Sequence, residues 1–221
     1  MKSVLFDYGG TLDADGATWL ERFYPIYKES GVDAPRERFD RAFYDSDDAL
    51  PARHALRGLD LEQTLRLQVR DVLAALAPER ADLVEPIAGR FAEESRRQFR
   101  RLTPSLERLA ARYRLGVVSN FYGNLDGILR AEGLAGLFSV VADSGALGVT
   151  KPDPEIFLHA ARALDSRPEE CVMVGDSVPR DMKGAAAAGM RRALVCTKPQ
   201  APDAGQDWTV RSVVELEALL P

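Results

Sequence analysis

Cysteine is almost absent from this 221-residue chain, with only Cys171 and Cys196, and lysine is scarce, five residues against 24 arginines. Each cysteine lies in an apolar run that reads as a strand, so buried, reduced thiols are expected rather than a disulfide or a metal site. No apolar run approaches the roughly 18 residues that cross a bilayer, and Met1 to Asp7 carries too few apolar residues for a signal peptide. A cytoplasmic, reducing location with no membrane partner is expected. Positive charge is not in excess either: the formal charge is -5, which argues against nucleic acid, whose phosphates are bound by clustered cations. A small solute is the expected partner. Internal repeats and low-complexity segments are lacking. What is present, 46% hydrophobic and 29% charged residues, is the balance of a globular domain, and the length permits one well-cored domain with an insertion.

Short strand-like segments occur at Ser3 to Phe6, Leu115 to Ser119, Ser139 to Ala142, Cys171 to Val174 and Ala193 to Cys196, with helical patterns between the last four. Buried strands alternating with helices predict an α/β fold, a doubly wound, Rossmann-like parallel sheet with helices on both faces. Thr103-Pro104 reads as the N-cap and first turn of one helix, Gly123-Asn124-Leu125 as the start of a second, and Pro154-Glu155 as the start of a third reaching Leu164. Pro199 to Gln206 reads as a surface loop. Between Leu12 and Thr103 no strand is evident and the spacing of Leu61, Leu65, Val69, Val72, Leu73 and Leu76 is helical. The expected organisation is a core of residues 1–14 and 102–221 with an all-helical cap, residues 15–101, growing out of the loop after the first strand. Ligands of open α/β sheets bind outside the carboxyl ends of the strands, where such a cap would sit.

Asp7, Ser119 and Asp176 all fall at the carboxyl ends of expected strands, so a parallel sheet would gather them on one rim. Asp7 is followed by the glycine turn Tyr8-Gly9-Gly10-Thr11, a place suited to a nucleophile. Two carboxylates on a low-dielectric rim repel unless a cation offsets them, and an oxygen-only ligand set suits magnesium better than zinc. Asp181, five residues past Asp176, either favours a helix N-terminus or orients the metal shell. Lys151, on a proline-stiffened loop, is an uncommon residue type in this chain; its compact ammonium suits holding a carboxylate and a phosphoryl oxygen together.

The order Asp7 to Thr11, Ser119, Lys151, then Gly175-Asp176 with Asp181 resembles the four ordered motifs of the haloacid dehalogenase superfamily, whose members are mostly phosphatases. The resemblance covers residues 1–14 and 102–221. It implies that Asp7 is the nucleophile that forms an aspartyl-phosphate, that Ser119 and Lys151 bind and stabilise the transferring phosphoryl group, and that Gly10, Thr11 and Asn120 add to the phosphate site. It also implies a magnesium site made by Asp7, the Gly9 carbonyl, Asp176 and Asp181. A magnesium-dependent phosphatase of a small phosphorylated metabolite is thus expected, as a monomer or homodimer.

One departure stands out. In the phosphatases the residue two after the nucleophile is an Asp that protonates the leaving oxygen and then activates water; here it is Gly9. Loss of such acid and base help costs about 100-fold to 10,000-fold in rate, so slow turnover or restriction to good leaving groups is the expectation. Asp13, Asp15 and His54 are candidate substitutes. The alternatives are a phosphate-binding or metabolite-binding pseudoenzyme and a metal-free haloacid dehalogenase. Phe121 and Tyr122 either pack or line the cleft, and the polar stretch of Tyr44, Asp45, Asp47, Asp48, Arg53, His54 and Arg57 either faces the cleft or is a solvated surface.

Overall fold

Side chains along the first strand alternate between two buried layers, as a period of two dictates. Val4 and Phe6 enter one apolar cluster and Leu5 the other. The computed structural model describes residues 1–220, and its six strands form one parallel sheet in the order β3-β2-β1-β4-β5-β6. These are β1 (Ser3–Phe6), β2 (Arg114–Ser119), β3 (Val140–Asp143), β4 (Cys171–Gly175), β5 (Arg191–Val195) and β6 (Trp208–Val210). β1 pairs with β2 on one side and with β4 on the other. The chain thus builds outward to β3, returns across β1, and continues outward through β4 to β6. That reversal creates the crevice in which doubly wound sheets bind ligands.

Nine α-helices accompany the sheet among the described residues: α1 (Trp19–Glu29), α2 (Arg36–Arg53), α3 (Leu61–Leu76), α4 (Val84–Ala110), α5 (Leu125–Ala131), α6 (Ser144–Leu147), α7 (Pro154–Ala163), α8 (Lys183–Ala187) and α9 (Leu216–Leu219). The α/β fold follows the expected pattern, with α7 and α8 burying Ile156, Phe157, Ala160 and Ala185 on one face. On the other face α4 and α5 bury Leu102, Leu106, Leu109, Ile128 and Leu129. The segment between β1 and β2 contains α1 to α4 and no strand. Capping boxes start two of its helices: Thr18 with Glu21 for α1 and Asp60 with Gln63 for α3. Most of its buried apolar side chains, including Phe23, Val69 and Phe91, belong to the same apolar cluster as Val4 and Phe6.

Two local expectations are corrected, and one strand was not foreseen. Thr103-Pro104 does not start a helix: α4 runs through it, and the Thr103 hydroxyl donates back to the Phe99 carbonyl at 2.8 Å. Interior proline costs about 3 kcal/mol, but Leu102 just before it and Leu106 and Leu109 beyond it are buried, each worth about 1.5–3 kcal/mol. Burial therefore outweighs the break. The expected boundary at residues 101 and 102 accordingly falls inside one continuous helix. β6 was not expected; only three residues long, it is recognisable by its pairing with Ala193–Val195 rather than by any pattern of its own. β5 ends at Val195, so Cys196 lies just beyond the strand and is half-buried, whereas Cys171 is buried as expected; both thiols are free. α5 starts at Leu125, as Gly123-Asn124-Leu125 led one to expect; the Asn124 amide donates to Thr64 Oγ1 at 2.8 Å and to the Leu59 carbonyl at 3.3 Å, reaching into the helical segment. The stretch 199–206 is the surface loop expected. Among the described residues no helix is long and apolar enough to cross a membrane.

An ion pair fastens the helical segment to the loop after β1. Arg22 Nη1 of α1 meets Asp13 Oδ2 at 2.7 Å, and Asp13 is fully buried. The same guanidinium lies 3.8 Å over the Phe91 ring and donates to Ser95 Oγ at 2.8 Å on α4. Removing one partner strands a buried charge, at a cost of about 3–5 kcal/mol. Arg22→Met is therefore expected to lower unfolding free energy by about 3–5 kcal/mol in urea titration, and a loss below about 1 kcal/mol, the scale of exposed pairs, would contradict this anchoring role.

Candidate active site

Parallel strands that end together bring distant residues together. Asp7 follows β1, Ser119 ends β2, Lys151 lies on the loop before α7, and Asp176 follows β4. Lys151 Nζ lies 2.7 Å from Asp7 Oδ1 and 2.7 Å from Asp181 Oδ1, and donates to the Val118 carbonyl at 3.0 Å. Ser119 Oγ donates to the same Asp7 oxygen at 2.9 Å, as does the Tyr8 backbone N–H at 2.7 Å. Three donors on one oxygen fix the carboxylate's orientation. Asn120 clamps the lysine loop from the other side: its Oδ1 accepts from Lys151 N at 2.7 Å and its Nδ2 donates to the Lys151 carbonyl at 3.0 Å.

Asp7, Asp176 and Asp181 each bring a carboxylate oxygen within 4.8 Å of the others. Asp181 is fully buried and accepts from Ser177 N at 2.9 Å, while Thr11 Oγ1 donates to Asp176 Oδ1 at 3.2 Å. Two glycines make this packing possible. A Cβ on Gly175 would stand 2.3 Å from Asp181 Oδ2, and one on Gly10, whose φ is 85°, would stand 2.7 Å from Asp176 Oδ2.

Charge in this cluster is unbalanced. With all carboxyls ionised, three negative charges face the single ammonium of Lys151. Burial lowers the lysine pKa, but Asp181 and Asp7 more than offset this and it ends up raised, so the ammonium persists. Asp181 is nevertheless raised as well, because burial outweighs the attraction of Lys151. Asp176, with no cation in contact, is raised to about 8, by burial first and then by Asp7 and Asp181. At the Lys151–Asp181 contact the 2.7 Å geometry favours an ionised pair, leaving the deficit on Asp176. A divalent cation fits this site on both charge and donor type: two uncompensated charges and oxygen-only ligands.

The cluster opens into a cleft of about 310 Å³. Asp7, Gly9, Ser119, Asn120 and Lys151 form its floor residues among the expected set; Thr18, Trp19, Leu20, Phe43, Tyr44 and Asp47 come from the α1 and α2 region, and Phe121, Tyr122, Ser177, Pro179 and Arg180 from the loops after β2 and β4. Gly9 has an ordinary φ of −74°, and a Cβ there would lie 3.4 Å from Trp19 Nε1, so the indole edge occupies the neighbourhood of the missing side chain.

Several expected residues have other tasks. Gly10 and Thr11 do not line the cleft: Gly10 N donates to Asp13 Oδ1 at 2.7 Å, and Thr11 serves Asp176. Asp13 is consumed by Gly10, by Trp19 Nε1 at 2.7 Å and by Arg22. Asp15 binds Gln98 Nε2 at 2.9 Å and Arg101, and His54 binds Asp71 at 3.0 Å. None of these three candidate acids reaches the cleft wall. In the polar stretch, Tyr44 and Asp47 face the cleft while Asp45, Asp48, Arg53 and Arg57 are exposed elsewhere. Phe121 does both things asked of it, packing edge-on against Tyr8 at 5.4 Å and Trp19 at 5.8 Å while lining the cleft. Residues not anticipated are Trp19 and Arg180 in the cleft and Asp143 beneath it. Asp143 accepts from Gly123 N, Leu125 N and Gly145 N at 2.9–3.0 Å and fixes the loop after Ser119. Arg180 lies in the run between Asp176 and Asp181, the signal that could have identified it.

A doubly wound α/β protein with a pinned carboxylate at the switch point and an acidic cluster beside it has the form of a hydrolase. A family model for haloacid dehalogenase-like hydrolases matches residues 1–189, and the chain belongs to that family. It is 35% identical to a phosphoserine phosphatase of Thermus thermophilus over 208 residues, covering 89% of this chain and 80% of that protein. Among solved structures it is similar to a HAD phosphatase from Thermococcus onnurineus, with TM-score 0.63, 26% identity, and coverage of 100% of this chain and 98% of that one. It is also similar to a 2-haloacid dehalogenase from Pseudomonas syringae pv. Tomato, with TM-score 0.57, 26% identity and the same coverage.

Carboxyls whose pKa is raised on folding take up protons as the chain folds, so stability declines as pH rises from the ordinary carboxylate range through the raised value. For chelator-treated protein, the melting temperature is expected to fall between about pH 5, above the usual carboxylate range, and about pH 8, where Asp176 ionises. Asp176→Asn should flatten that slope; an unchanged slope in the variant would show that the charge deficit lies elsewhere.

Proposed function

We propose that this hydrolase is a magnesium-dependent phosphatase of a small phosphorylated metabolite, with Asp7 as nucleophile. The observation that carries this is the meeting of Asp7, Lys151, Asp176 and Asp181, which leaves two negative charges for a divalent cation beside a fixed carboxylate. The phosphatase relatives support the same reading. Residues 1–14 and 102–221 serve as the core, and 15–101 as the helical cap that closes the cleft.

In the first step a carboxylate oxygen of Asp7 attacks phosphorus, the bond from phosphorus to the leaving oxygen breaks, and an aspartyl-phosphate forms. Lys151 Nζ, held beside Asp7 by Asp181, offsets charge on the transferring oxygens, and Ser119 Oγ donates a hydrogen bond to one of them. Preorganised donors of this kind are worth the most in a low-dielectric site. In the second step water attacks phosphorus, the bond from phosphorus to Asp7 breaks, and inorganic phosphate leaves. Asp7, Asp176, Asp181 and the Gly9 carbonyl would hold magnesium, which when bound neutralises phosphoryl oxygens as a Lewis acid. Glycine at position 9 gives no proton, so protonation of the leaving oxygen falls to another wall of the cleft.

The likeness to the Pseudomonas syringae dehalogenase, together with the missing second carboxylate, favours one other reading: displacement of halide from a haloacid carbon by Asp7. Asp176 and Asp181 weigh against it, since they would repel a haloacid's own carboxylate. Phosphate release from an aryl phosphate is expected to require millimolar magnesium, to stop with chelator, and to fall at least about 1,000-fold in Asp7→Asn. Halide release that survives chelator, with no phosphate release, would replace the phosphatase by the dehalogenase.

A further inference from the structure

We infer that Asp47, on α2 of the helical segment, is the proton donor and acceptor that takes over the task left vacant at Gly9. This rests on the phosphatase reading of the site. Among the described residues only two carboxylates stand in the wall of the cleft, Asp7 and Asp47. The first is the nucleophile, and it is already bound by Lys151, Ser119 and the Tyr8 N–H. Asp13, Asp15 and His54 are bonded to other side chains and do not line the cleft, which removes these alternatives.

Position and environment suit Asp47 to the task. Its Oδ1 accepts from the Tyr122 hydroxyl and from Gln68 Nε2, the latter at 3.3 Å. Tyr122 is three residues past Ser119, which touches the nucleophile, so this contact ties the acid to the phosphate end of the cleft. Both hydrogen bonds fall on one oxygen; among the described residues no donor is placed on Oδ2. The surroundings are largely aromatic, with Trp19, Phe43 and Phe121 in the same wall. Burial raises the carboxyl's pKa and Asp48 adds to the rise, while the Tyr122 hydrogen bond, Arg180 and the Gln68 hydrogen bond act against it. A net rise brings a carboxyl closer to the pH at which it can both give and take a proton.

The steps balance. As Asp7 attacks phosphorus, the leaving oxygen takes the proton from Asp47 Oδ2 and departs as an alcohol, leaving Asp47 as carboxylate. Asp47 then accepts a proton from the water that attacks the aspartyl-phosphate, phosphate departs, Asp7 is regenerated, and Asp47 is again protonated. Because the donor comes from the helical segment, the acid is in place only when that segment covers the cleft.

Burst kinetics on two esters test this. An aryl phosphate has a leaving group that needs no proton, whereas an alkyl phosphate has one that does. In Asp47→Asn, which keeps an oxygen for Tyr122, the phosphorylation burst is expected to slow less than tenfold with the aryl ester. With the alkyl ester it should slow by about 100-fold to 10,000-fold, and steady-state turnover of both should fall as dephosphorylation becomes limiting. Tyr122→Phe separates chemistry from structure: loss of the contact alone should slow both bursts by the same factor. An active wild type in which Asp47→Asn slows both bursts equally, or neither, overturns the assignment of Asp47 alone. A wild type that releases no phosphate from either ester removes the phosphatase reading and the assignment with it.

Discussion

A single buried ammonium shared between two carboxylates is the contact on which this site depends. Lys151 touches Asp7 and Asp181 at equal distance, with Asp176 as a third carboxylate beside them. Burying so much negative charge is costly unless it is paired, and one lysine pairs only part of it. The fold therefore retains uncompensated negative charge at the head of its sheet, and that charge is the physical basis of the magnesium site and the phosphoryl transfer proposed above.

The architecture explains how those charges are kept together. Four separate segments at the carboxyl ends of the strands supply the groups, and each is fixed by contacts of its own. Asn120 clamps the Lys151 backbone, Asp143 ties down the turn after Ser119, Asp13 holds the glycine turn after Asp7, and glycines 10 and 175 let Asp176 and Asp181 approach the backbone. A shift in any of them would move a carboxylate relative to the ammonium. The helical segment shares its apolar cluster with the sheet and places Trp19, Phe43 and Asp47 over the opening. The proposed chemistry at the strand ends and the proposed proton donor thereby lie on different parts of the chain.

Much of this was legible in the sequence, for an identifiable reason. Asp7, Ser119 and Asp176 sit at the ends of apolar runs, and a parallel sheet converts that shared position into proximity without any knowledge of side-chain contacts. Lys151 was legible because lysine is rare here and Pro152 and Pro154 stiffen the chain just after it. Long-range competition was not legible. Asp13 looks like a free acid in a turn until Arg22 and Trp19 arrive from α1, and Thr103-Pro104 looks like a helix start until burial of Leu102, Leu106 and Leu109 carries α4 through it. Gly10 and Thr11 read as phosphate-binding, but the packing of Asp176 claims them. Asp47 stood among seven polar residues with nothing local to separate it from Asp45 or Asp48; only the turn of α2 and the hydroxyl of Tyr122 distinguish it. β6 has too few residues to display a period at all.

The central claim is that a fixed carboxylate at the switch point attacks phosphorus. Its most direct test is mass spectrometry of protein acid-quenched during turnover of a phosphate ester with magnesium present. A phosphoryl adduct on the peptide that contains Asp7, absent when chelator replaces magnesium, is the result this account predicts. Phosphate release without any such adduct, or an adduct on a peptide lacking Asp7, would contradict it.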